Sequence, residues 1–340
     1  MNYQEVLTRA KDAIGPNCKV CPECNGIACR GKIPGPGGKG TGLGFIRSYQ
    51  ALRNIGLNMD TIYEARPIST RTRLFGRELS MPVFAAPIGA VGLHYNETYN
   101  DLTYSDAVLR GCLAAGTAAF TGDGVKDDIF KGTIEAIKAL GGQGVPTIKP
   151  WSLAEVLIKA KMAEDAGTFA FAMDIDAAGL LVLAMQGKPV APMPVETLAK
   201  IAASVKLPFL LKGIMTADGA RKALEAGAAG IVVSSHGGRV LDETPATVEV
   251  LPDIVKAVAG RMTVLVDGGF RTGLDVFKAL ALGADGVLIG RPFASMVYGG
   301  GEEGVALYLN KVQAELTEAM LMTGAVSLED VDTSRINLLT

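Results

Sequence analysis

Four cysteines crowd into twelve residues: Cys18, Cys21, Cys24 and Cys29, separated by two, two and four residues. Thiolates are nucleophiles and soft metal ligands, and four so close together can share one iron–sulfur cluster or one structural zinc. The run approaches the bacterial ferredoxin spacing, whose last gap is three residues rather than four. Zinc sites usually pair two knuckles across a longer gap, so the compact spacing favours iron–sulfur. Cys21-Pro22-Glu23-Cys24 is also a CxxC pair, which keeps reduced or redox-active thiols without metal as a third reading. Cys112 stands alone.

A different chemistry is written near the other end. Asp267-Gly268-Gly269-Phe270-Arg271 and Gly290-Arg291-Pro292 combine glycines, whose backbone N–H groups can approach an anion closely, with arginines that offer a planar fork of donors. A phosphate is the natural ligand. Asp267 is ill-suited to face phosphate and well suited to accept from polyol hydroxyls beside it.

These residues need a scaffold, and the sequence supplies a regular beat from Pro82 onward. Apolar runs of strand length (83–86, 118–121, 145–148, 168–173, 209–211, 230–233, 263–266 and 286–289) alternate with amphipathic stretches near 100–115, 126–140, 152–165, 194–204, 216–226, 246–258 and 271–282. A last helix follows Pro292. Eight strands each followed by a helix predict an α/β fold, a (β/α)8 TIM barrel. In such barrels chemistry sits where the strands end, and a phosphate is often held after strands seven and eight. The two arginine loops fall at those two positions. The other strand ends are also rich in polar residues and glycine, including Thr121-Gly122-Asp123, Lys149-Pro150-Trp151, Asp174-Ile175-Asp176 and Ser234-Ser235-His236-Gly237-Gly238-Arg239.

Residues 1–44 read as an extension: a short helix over 3–14, the cysteines, then a run from Gly31 to Gly42 too rich in Gly and Pro for helix or strand. The barrel is assigned to 45–340. Composition narrows the function classes. Apolar residues at 49% and charged residues at 20% exclude intrinsic disorder. Thirty-three basic against 35 acidic residues give no electrostatic case for nucleic acid or an anionic membrane. No apolar stretch approaches membrane-spanning length, and the first residues lack the order of a signal peptide. A cytoplasmic protein is expected, where disulfides are rare.

The segment Lys212-Gly213 followed by Ser234-Ser235-His236-Gly237-Gly238-Arg239-Val240-Leu241-Asp242, with the later Asp-Gly-Gly and Gly-Arg-Pro, resembles the FMN-dependent α-hydroxy acid oxidases and dehydrogenases. The likeness spans about residues 60–320 and is strongest from 208 to 293. It implies FMN as cofactor and oxidation of a lactate-like L-2-hydroxy acid to the 2-oxo acid. By resemblance His236 is the base, oriented by Asp174. Arg239 is the clamp on the substrate carboxylate, and Lys212 the cation beside the flavin. Pro87, Ile88, Gly89, Gly122 and Ser234 are expected to line the flavin, with Asp267, Gly268, Gly269, Arg271, Gly290 and Arg291 holding its ribityl and phosphate. A histidine base, a bidentate cation and a fixed charge beside the reduced flavin are what this chemistry requires.

The substrate half departs from the pattern. The family's glutamine and tyrosine at the third strand end are replaced by Lys149-Pro150-Trp151, its N-terminal tyrosine has no counterpart, and no arginine lies between Ala177 and Gln186. Lys149 is either an exposed lysine or a replacement for the lost carboxylate contacts. The loop 177–194 is short, which predicts a more open or differently covered site, and His94 reads as a loop residue. Two alternatives stay open: an FMN barrel enzyme with another substrate, such as an isomerase, and a flavin-bearing redox sensor with a degenerate substrate site. The partners expected are a small 2-hydroxy acid, an electron-acceptor protein and further copies of the same chain.

Overall fold

A computed structural model describes residues 1–339. Eight parallel strands close into a barrel: β1 (Val83–Ala85), β2 (Ala118–Thr121), β3 (Val145–Ile148), β4 (Phe171–Asp174), β5 (Phe209–Ile214), β6 (Gly230–Val233), β7 (Thr263–Asp267) and β8 (Gly286–Ile289). Each pairs with its neighbour in the chain, and β8 returns to β1. The helices named by the sequence period are present: Asp101–Ala114, Asp127–Ala139, Leu153–Asp165, Val195–Ala202, Ala217–Glu225, Thr247–Val258 and Gly273–Ala281. A final helix, Arg291–Thr323, is kinked at Gly301.

The strand alternation divides two cores. Phe84, Phe120, Ala172, Leu210, Val232, Leu265 and Leu288 fill the barrel interior, whereas Val83, Ala85, Met173, Leu211, Val233, Val266 and Ile289 face the surrounding helices. Phe84 and Phe120 meet edge to face at 5.6 Å, so the interior is packed rather than hollow. Chemistry is thereby confined to the mouth, at the strand C-termini.

Residues 1–44 are no detachable extension. A capping box formed by Asn2 and Glu5 starts the helix Tyr3–Ala13. That helix packs on Arg291–Thr323, and its Val6 and Ala10 are fully buried in the same core as the barrel helices. The expected boundary at 44 also cuts a second helix, Leu43–Arg53. Between the helices the glycine-rich run forms turns that lie across the barrel mouth. A Cβ at Gly37 would stand 1.9 Å from the Cys29 carbonyl oxygen, so only glycine lets the run close against the cysteine loop. Asp242, beyond β6, accepts from the Thr41 N–H at 2.6 Å and its hydroxyl at 2.7 Å. Lys39 donates its backbone N–H to the Gly238 carbonyl. Among the described residues, no helix is long and apolar enough to cross a membrane.

Candidate active site

The strand ends converge on one cavity at the mouth. Its lining includes Pro87, Ile88, Gly89, Gly122, Lys149, Asp174, Lys212, His236, Arg239, Gly268, Gly269, Arg271, Gly290 and Arg291. Asp267 joins them from the end of β7, and Ser234 lies just behind, fully buried.

At the reacting end, His236 sits in left-handed backbone at φ 55°, followed by Gly237 and Gly238 in the same region. A non-glycine residue there is uncommon and costs energy, so the fold over-determines its placement. The Ser234 hydroxyl is the pivot: it accepts from the His236 backbone N–H at 3.0 Å and from Lys212 Nζ at 2.8 Å. Lys212 also pairs with Asp267 at 3.2 Å. Burial would lower the Lys212 ammonium, but Asp267, Asp176 and Asp174 outweigh it and hold the group charged.

The carboxylate against His236 Nδ1 is Asp176, at 2.8 Å, and not Asp174 as the sequence predicts. Asp174 instead pairs with the Lys149 ammonium and stands 3.9 Å from His236 Nε2. A single residue, Ile175, separates the roles, because Asp174 ends β4 while Asp176 lies in the 310 turn Ile175–Gly179 and reaches the histidine from there. Burial pushes Asp176 up to about 6. Burial, helped by Lys212 and Lys149, holds His236 well below the usual imidazole range. With Nδ1–H donated to Asp176, Nε2 is free to accept a proton at neutral pH. One ligand atom each from Asp174, Asp176 and His236 could meet around a metal. Lys149 and Lys212 already supply positive charge there, so the arrangement suits proton chemistry better.

Lys149 is buried rather than exposed, and a second network fixes its loop. The buried Asp123 carboxylate accepts from the Lys149 backbone N–H at 3.0 Å, from Trp151 Nε1 at 2.7 Å and from Lys159 Nζ at 2.8 Å. Trp151 is thereby held against Asp123, Lys159 and Lys188 and is not part of the cavity lining. His94, a loop residue by its sequence, lines the cavity from the segment after β1 together with Tyr95, which carries no sequence expectation. His94 lies 3.5 Å from Arg239 and accepts from the Gly35 N–H at 3.3 Å. Burial and the Arg239 charge lower it to about 3, so it is neutral. Their only sequence signal is an aromatic pair within a strand-end loop. The short loop after β4 does not leave the site open: Leu180, Val182 and Leu183 form an apolar wall along it.

Three arginines along the mouth, Arg239 near the reacting end and Arg271 and Arg291 beyond it, meet the N-terminal segment. Arg239 donates to the Gly35 carbonyl. Arg291 donates to Pro36 at 2.7 Å and to Gly237 at 2.8 Å, with its guanidinium 3.6 Å over the Phe45 ring. Arg271 donates to the Cys24 carbonyl at 2.6 Å. Beside them Gly268 and Gly269 line the mouth with φ of 97° and 89°, conformations that glycine adopts at little steric cost. Asp267 Oδ1 and Thr147 Oγ1 are buried with no partner, although both residues border the cavity. Buried polar atoms of this kind ask for a ligand.

The comparisons agree with this geometry. The FMN-dependent dehydrogenase family matches residues 36–182 and 183–338. L-lactate oxidase from Lactobacillus jensenii is 33% identical over 297 residues, covering 77% of this chain and 70% of that protein. A peroxisomal (S)-2-hydroxyacid oxidase from Arabidopsis thaliana is 50% identical over 131 residues, but these span only 38% of this chain and 36% of that one. A crystal structure of mandelate oxidase superposes with a TM-score of 0.81 at 30% identity, covering 99% of this chain and 97% of that chain.

Proposed function

Because the chain belongs to the FMN-dependent dehydrogenase family, we propose that it is an oxidoreductase that converts a small L-2-hydroxy acid to the 2-oxo acid. The observation that carries this reading is the convergence of His236, Arg239 and Lys212 on a cavity whose far end is a glycine and arginine cradle. The cradle fits the cofactor. Backbone N–H groups at Gly268 and Gly269 with Arg271 and Arg291 suit the phosphate, and the unpartnered Asp267 and Thr147 oxygens suit hydroxyl or ring N–H donors. When bound, FMN accepts the two electrons removed from the substrate.

The chain supplies the rest. Arg239 clamps the substrate carboxylate, which takes the place of the Gly35 carbonyl as its acceptor. His236 Nε2 takes the hydroxyl or C2 proton, and Asp176 holds the ring in the required tautomer and stabilises the imidazolium that forms. Lys212, held charged by its carboxylate neighbours, would supply fixed positive charge to the reduced flavin. Lys149 and neutral His94 offer the substrate polar contacts from the cavity wall. The wall of Leu180, Val182 and Leu183 favours an aliphatic or aromatic substituent over a charged one. The five cysteines, none in a disulfide, accord with a reducing compartment such as the cytoplasm.

Anaerobic bleaching of the flavin by a panel of 2-hydroxy acids tests the proposal. At least one L-enantiomer should reduce it, and His236→Ala should slow that reduction by about 10²–10⁴-fold while leaving the flavin bound. A panel that leaves the flavin oxidised, or a variant reduced at the normal rate, would refute the assignment.

A further inference from the structure

A second cavity, of about 300 Å3, adjoins the first. All four clustered cysteines line it, and with them Tyr3, Tyr49, Tyr308, Arg271 and Arg291. Pro36, Tyr95, Arg271 and Arg291 belong to both cavities and form the wall between them. None of the cysteines is paired.

From this arrangement we propose that Cys18, Cys21, Cys24 and Cys29 hold a [4Fe–4S] cluster, set against the phosphate end of the flavin site. Three features support it. A tetrahedral zinc with Zn–S of ~2.3 Å would draw its four sulfurs to within ~3.8 Å of one another. Among the described residues no three cysteine sulfurs lie as close as 4.8 Å. Thiolates on the outer corners of a cubane stand farther apart, around a volume that must itself be accommodated, and the cavity provides one. Second, the first two gaps are those by which three cysteines of a ferredoxin run hold one cluster, and the turn Gly26–Cys29, where Cys29 Sγ reaches the Gly26 carbonyl at 3.9 Å, brings a fourth thiol to the same cavity. Third, Arg271 Nη2 donates to Cys24 Sγ at 3.5 Å. Hydrogen bonds and positive charge at cluster sulfurs raise the reduction potential and ease electron entry.

The cluster's presence is independent of the substrate reading; its use as an electron exit rests on it. Oxidation of the hydroxy acid breaks the C2–H and O–H bonds, forms the C=O, and releases two electrons and two protons. The electrons would leave the flavin one at a time through the cluster to two equivalents of a one-electron carrier, and both protons would pass to solvent, one of them by way of His236.

Protein purified without oxygen decides the matter. About four iron and four acid-labile sulfide per chain are expected, with an electron paramagnetic resonance signal after dithionite reduction. One tightly held zinc, or no iron after reconstitution with ferrous iron and sulfide, would overturn the assignment without reference to how any variant folds. Cys18→Ser and Cys21→Ser should each lower cluster iron while leaving FMN content near one per chain; full iron in both would equally overturn it. The electron route has its own test. If a hydroxy acid bleaches the flavin but never elicits the cluster signal that dithionite gives, the cluster is no exit. If the flavin itself fails to bleach, it is the substrate reading that fails.

Discussion

Gly213 and Asp176 occupy one space. A Cβ built on Gly213 would lie 2.5 Å from Asp176 Cγ, and Gly213 takes φ of 106° at the point where the pairing of β5 with β6 shifts register between Lys212 and Ile214. The bulge does two things at once: it aims Lys212 at Ser234 and leaves room for the carboxylate beneath His236.

Gly213→Ala should therefore act on chemistry before binding. Displacing Asp176 from His236 Nδ1 should slow flavin reduction by roughly 10²-fold, since misplacement by about 1 Å can cost that much. FMN content should be unchanged. Rapid-mixing measurements of the reductive half-reaction with an absorbance check of bound flavin will separate the two, and loss of flavin instead would mean that the bulge serves the cofactor.

The pH dependence follows from the Asp176–His236 pair. Burial lifts Asp176 to about 6 and holds His236 low, so above pH 6 the pair carries one negative charge and His236 is a neutral base. As pH falls through about 6 the pair takes up a proton and loses the Nδ1 acceptor or the free base. The reduction rate should be flat above that point and fall below it, an apparent pKa that belongs to the pair. Asp176→Asn should remove the acid limb near pH 6 and lower the plateau by about 10²–10⁴-fold. Asp174→Asn should leave the limb in place; if it alone abolishes the limb, the partner of His236 has been misassigned.

Arg239→Lys retains charge and loses the fork. Its bonds to the Gly35 carbonyl and its approach to His94 show two separate directions of donation, which an ammonium cannot reproduce. Substrate affinity should drop by about tenfold or more, the equivalent of ~1.4 kcal/mol, with flavin retention intact. Titration of the oxidised enzyme with a non-reducible 2-oxo acid measures it directly, and an unaltered affinity would place the carboxylate elsewhere.

Arg271→Ala with Arg291→Ala should release FMN on dialysis. Each single variant should weaken retention less than the pair, because both guanidinium groups stand beside the Gly268–Gly269 turn. Full occupancy in the double variant would refute the phosphate assignment.

The barrel is legible in the sequence because its eight strands are short apolar runs between amphipathic segments, and Ala118–Thr121, Val145–Ile148, Gly230–Val233 and Gly286–Ile289 fall where the pattern puts them. Lys212, His236 and Arg239 are legible because strand ends place them and a known motif spaces them. The partner of His236 is not, since Asp174 and Asp176 differ only in which one leaves the strand, and a single turn decides it. His94 and Tyr95 are illegible for a related reason: the run Gly35–Gly37 selects them, and that contact joins residues almost sixty positions apart. Lys149 carries no sign of burial in its own neighbourhood, because the counter-charge of Asp174 comes from the next strand.

The carbonyls of Cys24, Gly35 and Pro36 occupy the three arginines that we propose for an anionic cofactor and an anionic substrate. Each guanidinium is thus a shared joint between the first forty residues and the barrel mouth. A minimal enzyme cannot be made by trimming the chain to its barrel, nor can the cysteine segment be grafted onto a relative as an independent module. Trimming would strand the apolar partners of Val6 and Ala10 on the last helix and remove the carbonyls that hold all three guanidinium groups in the same cut. Redesign of substrate preference will have to treat the Gly35–Gly37 run as part of the pocket, with its sequence varied together with position 94.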